Sequence, residues 1–129
     1  MLTKRTLLTT IPAVLAGAAL VATGPALAHN PQPRHGGRIV IAGNFHVELV
    51  IKGATVSAYL LGHDDKPRDA AGHQGLAILV VDGKSQRVPL AAAEGNRLDG
   101  TAPAPLPDGV KGVVQITTPT GATAQAKFN

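Results

Sequence analysis

Between residues 38 and 128, apolar and polar positions alternate in short runs separated by turn residues. The clearest run sets Phe45, Val47, Leu49 and Ile51 against His46, Glu48, Val50 and Lys52, the period of two expected of a half-buried strand. The next run carries Val56, Ala58 and Leu60 on one side and Thr55, Ser57 and Tyr59 on the other, with Lys52-Gly53-Ala54 between the two as a hairpin turn. Laying the apolar faces together puts Glu48 beside Tyr59, and His46 beside Leu61 and the loop His63-Asp64-Asp65-Lys66-Pro67. That register gathers His46, Glu48 and His63 at one exposed edge of one sheet. A slip of one residue would undo it, because every side chain would change face.

The same reading predicts strands near 38–42, 45–52, 55–61, 75–81, 85–90, 96–100, 111–118 and 122–128. Reversals are marked by Asp82-Gly83, Gly95-Asn96, Pro107-Asp108-Gly109 and Pro119-Thr120-Gly121. Pro89 and Gly95 bracket Ala91-Ala92-Ala93-Glu94 too closely for more than one helical turn. Turns about ten residues apart indicate an all-β domain over 38–129, an Ig-like or Greek-key β-sandwich or barrel of about seven strands. Its expected core holds Val47, Leu49, Ile51, Val56, Leu60, Ile78, Val80, Val114 and Ile116.

Two segments precede that domain. Residues 1–28 read as an export signal: Lys4 and Arg5, an apolar stretch from Leu7 to Ala22, then Gly24-Pro25 and the small-residue end Ala26-Leu27-Ala28. The stretch is short for a membrane span of ~20 residues, so cleavage after Ala28 and a periplasmic or secreted product without a lipid anchor are expected. Residues 29–37, rich in Pro and Gly, form an extended arm.

Composition narrows the function classes. The 129-residue chain has 12 Lys and Arg against 8 Asp and Glu, and Lys4 and Arg5 belong to the expected leader. Neither a basic stripe nor stacking aromatics are present (2% of residues are aromatic), which argues against nucleic acid as a partner. The absence of Cys excludes disulfides, iron–sulfur clusters and thiolate chemistry. No nucleophile elbow, phosphate-binding loop or His-Glu-x-x-His is present, so an enzyme is not expected.

All five histidines (29, 35, 46, 63 and 73) lie close together in sequence, with Glu48, Asp64 and Asp65 among them. Imidazole and carboxylate suit divalent transition metals, Cu²⁺ or Zn²⁺ above all, whereas Cu⁺ prefers Met and Cys. Residues two apart on a strand share a face, and a hairpin partner supplies a third ligand from the same side. His46 and Glu48 are therefore the candidate centre of a metal site, joined by His63 and by His35 from the arm, with His29 and Asp64 as additional candidates. If processing exposes the amino group of His29, that group and the ring can chelate one ion, an arrangement that resembles that of small periplasmic copper carriers. Each residue also has a plain reading. His46 and Glu48 fit a polar solvent face, the 63–67 segment a solvated turn, His73 an ordinary loop, and His29 and His35 tolerated positions in the arm.

His35-Gly36-Gly37, Phe45-His46-x-Glu48-Leu49-Val50, Leu61-Gly62-His63-Asp64-Asp65-Lys66-Pro67 and Ala124-x-Ala126-Lys127-Phe128 together resemble a group of small exported bacterial proteins. These carry His-Gly-Gly, Tyr/Phe-His-x-Glu-Leu and Asp-x-(Asn/Asp)-Lys-Pro motifs and accompany heavy-metal efflux systems. A similar stretch occurs in the periplasmic parts of some efflux adaptor proteins. The resemblance implies metal binding or delivery to a membrane efflux complex, carried onto His35, His46, Glu48 and His63. Relatives often have a His-rich stretch before His-Gly-Gly where this chain has only His29 and His35, so high-capacity buffering is not implied. The competing reading is a non-catalytic periplasmic module that docks on a membrane-associated complex through a sheet edge.

Overall fold

The computed structural model describes residues 31–129; the expected leader over 1–28 and His29 lie outside the described residues. The strands are β1 (Arg38–Ala42), β2 (Phe45–Lys52), β3 (Thr55–Leu61), β4 (Gln74–Val81), β5 (Lys84–Ala92), β6 (Arg97–Thr101), β7 (Lys111–Thr117) and β8 (Thr123–Phe128). The expected strands fall on these within a residue or two, but there are eight rather than about seven. They form one antiparallel sheet in the order β1-β2-β3-β6-β5-β4-β7-β8. The barrel alternative is the one realised, not a two-sheet sandwich. Its two edges, β1 and β8, touch without sharing a ladder, so the barrel is nearly closed. The run β3-β6-β5-β4-β7 contains two overlapping Greek keys: β6 returns beside β3, and β7 returns beside β4.

Local chemistry explains the reversals. Asp82 and Gly83, both at positive φ (51° and 77°), make the type I′ turn that suits the twist between β4 and β5. The ladder between β5 and β6 is only two pairs long, Ala91 with Asp99 and Ala92 with Leu98. Pro89 lies just beyond it and offers no N–H for pairing.

The barrel interior interleaves large and small side chains. Gly75 of β4 lies between Leu90 and Ile116, and Ala77 between Val88 and Val114. A Cβ at Gly75 would sit 3.0 Å from that of Leu90. Such alternation fills a small barrel without voids. Val47, Leu49, Val56, Leu60, Val114 and Ile116 are buried as expected, and Ile51 is partly buried against them. Ile78 and Val80 correct the expected core. Ala77 and Leu79 point inward instead, and Val80 is 47% exposed. The run Leu76-Ala77-Ile78-Leu79-Val80-Val81 has no polar alternation to set its phase, so pairing with Val88 and Val114 sets it.

Candidate functional site

The hairpin register is the one the alternation predicts: Glu48 pairs with Tyr59 and His46 with Leu61. The expected exposed edge is not observed. His46 is 2% exposed and Glu48 1%, and every residue from Phe45 to Val50 is buried. One face of β2 looks into the barrel; residues 34–37 of the arm lie across the other. His35-Gly36-Gly37 explains how the arm lies so close. Gly36 has φ +77°, and a Cβ at Gly37 would collide with the Leu49 carbonyl and come within 2.8 Å of Val50 Cγ2. Only glycine fits that approach.

Glu48 fastens the arm. Its Oε1 accepts from the Arg34 backbone N–H at 3.0 Å and faces His35 Nδ1 at 3.0 Å. Its Oε2 accepts from the backbone N–H groups of His35 at 2.8 Å and Gly37 at 2.9 Å. The His35 ring also stacks on Tyr59 with centroids 3.6 Å apart and planes inclined by 7°. Desolvation by itself pushes the Glu48 carboxyl up. The hydrogen bonds from the Gly37 and Arg34 backbone, the His35 ring and the His35 backbone outweigh it, so the net effect is a carboxyl held below its ordinary value.

A second pair lies one step along the same face. His46 Nδ1 is 2.9 Å from Asp65 Oδ1, and the His63 ring stands edge-to-face to His46 at 5.4 Å and 88°. The 62–66 turn delivers these groups. Gly62 N–H donates to the Lys66 carbonyl, Asp65 N–H donates to the Gly62 carbonyl, and Asp65 takes the left-handed φ of 61°. The Arg34 guanidinium donates to the Asp65 carbonyl at 2.8 Å, which ties the arm to this turn as well.

The expected site residues thus divide. His35 joins Glu48, and His46 joins His63. Asp64 turns away to accept from Lys66 N–H at 3.1 Å, and His73 lies in the loop before β4 with its ring 5.8 Å from Phe45. Among the described residues, no group of three or more His, Asp or Glu side chains is arranged to hold a metal ion. Sequence reasoning missed the pairing of Asp65 with His46 and the backbone donors of the arm. Asp64 and Asp65 are equivalent as letters, and only the positive φ distinguishes them. Comparison with protein-family models, with curated proteins and with solved structures finds no significant match.

Proposed function

We propose that the chain binds a divalent transition metal of the copper(II) or zinc class outside the cytoplasm, and buffers it or passes it to an efflux or homeostasis complex. The observation that carries this reading is the His46–His63 pair, two imidazoles in edge-to-face contact with the Asp65 carboxylate against His46 Nδ1. A carboxylate against one ring nitrogen fixes the orientation of an imidazole, as it does in many metal-ligating histidines. Glu48 and His35 enter the reading as the fastening that holds the arm over β2, because both Glu48 oxygens and His35 Nδ1 are taken up by each other and by the arm. Two imidazoles leave coordination positions for water or for a ligand of the receiving partner, which suits handover better than storage.

Calorimetric titration of the protein with Cu²⁺, Zn²⁺, Ni²⁺ and Co²⁺ tests the reading. Saturable binding of Cu²⁺ or Zn²⁺ is expected, with a melting temperature that rises with metal concentration, since an ion bound only by the folded form stabilises it. Affinity should weaken on acidification as protons compete for the imidazoles. No heat and no thermal shift with any of the four ions would sink it. A docking module is the second reading, favoured by edge strand β1, which touches β8 without sharing a ladder with it.

A further inference from the structure

At the end of the barrel where β1 turns into β2, a cleft of about 480 Å³ opens between three turns. Gly43 to Phe45 form one side, Arg68 and His73 of the β3–β4 loop another, and residues 118–124 of the β7–β8 turn the third. We propose that this cleft binds a small organic carboxylate, with the Arg68 guanidinium on the carboxylate and the apolar body against Pro119, Ala122 and Ala124.

Three observations carry the assignment. First, Arg68 is an exposed cation for which the structure shows no ion pair among the described residues, and no Asp or Glu lines the cleft. Its guanidinium lies over the Phe45 ring, 5.3 Å from the centroid. The ring attracts the cation, and the planar N–H fork of a guanidinium matches a carboxylate in bidentate fashion.

Second, the cleft is preformed. A Cβ on Gly72 would lie 2.9 Å from Pro119 Cγ, so the β3–β4 loop and the β7–β8 turn meet because residue 72 is glycine. The β7–β8 turn is itself braced: Thr118 Oγ1 accepts from Ala122 N–H at 3.1 Å and lies 2.9 Å from the Thr120 hydroxyl. Sites that do not have to be ordered on binding lose less affinity to entropy.

Third, the chemistry of the walls selects the anion. One guanidinium, with no lysine lining the cleft, balances a single negative charge, while Phe45, Pro119, Ala122 and Ala124 leave an apolar compartment beside it. A monocarboxylate with a compact hydrocarbon body fits this better than inorganic phosphate, and the volume falls in the ordinary range for small-molecule sites.

The test uses ¹⁵N-labelled protein titrated with benzoate, with benzamide as the uncharged isostere and with inorganic phosphate. Benzoate should shift the amides of Phe45, Arg68, His73 and Thr120 saturably, and benzamide should not. Arg68→Gln should weaken benzoate binding roughly tenfold or more, as loss of a charge-assisted pair implies. Arg68→Lys should recover only part of it. Because Arg68 is exposed, the rest of the spectrum should be unchanged in both variants. Absence of saturable shifts, equal shifts with benzamide or with phosphate, or undiminished binding by Arg68→Gln would each overturn the proposal. Metal binding at His46 and His63 is read out at other amides, so the two proposals fail independently.

Discussion

β2 and β4 are both eight residues long and both lie between two hydrogen-bonded neighbours, yet their outward faces contradict their sequences. The outward face of β2 carries His46 and Glu48 and is almost wholly buried. The outward face of β4 carries Ile78 and Val80, and Val80 is 47% exposed. The difference lies in what crosses each face. β2 has an arm bound to it by backbone N–H groups, and a buried carboxylate is tolerated there because four donors satisfy it. Among the described residues no arm crosses β4 in this way, and single exposed apolar side chains are ordinary on a protein surface. Polarity therefore marks which face of β2 a second segment must cover, and in β4 hydrophobicity marks only strand propensity.

Leu49→Ala and Leu79→Ala, both inward-facing, should give the largest effects, about 2–5 kcal/mol each by equilibrium denaturation. Matching losses would confirm that the two strands share one core, and a loss near zero at either would place that strand in the wrong phase. Glu48→Ala comes next. It leaves three backbone donors and the His35 ring without their acceptor, a cost of about 3 kcal/mol, and hydrogen exchange should show the arm amides of Arg34, His35 and Gly37 losing protection. Gly37→Ala should release the same amides through the clash with the Leu49 carbonyl while Glu48 stays in place.

The acid limb of stability separates the strands further. Because the fold holds the Glu48 carboxyl below its ordinary value near 4.5, its contribution is fully present above that value. It is lost as pH falls through the lower folded value. Glu48→Gln should flatten this limb of the denaturation profile, and an unchanged slope would remove Glu48 as its source. Val80→Thr should give the smallest effect, within ~0.5 kcal/mol, since its side chain meets solvent.

The all-β class, the strand positions and the register of β2 on β3 were legible because Val47, Leu49, Val56 and Leu60 alternate without interruption. The phase of β4 was not, because six apolar residues in a row carry no period. Nor was the burial of His46 and Glu48. It depends on an arm whose contacts are main-chain N–H groups, and these leave no mark in the side-chain pattern except Gly36 and Gly37. The proximity of His46 and His63 followed from the hairpin register. The split between the His35–Glu48 and His46–Asp65 pairs did not, since it turns on the left-handed φ at Asp65.

The most direct measurement is a Zn²⁺ and Cu²⁺ titration of His63→Ala, His46→Gln and His73→Ala beside the parent protein. His63 is exposed, so its removal leaves the core intact, and His73 controls for imidazole that binds metal without a site. The account predicts that His63→Ala and His46→Gln bind at least tenfold more weakly, about 1.4 kcal/mol, while His73→Ala matches the parent. Parent-like binding by both His63→Ala and His46→Gln would contradict it and leave the outer face of β2 as a fastening for the arm alone.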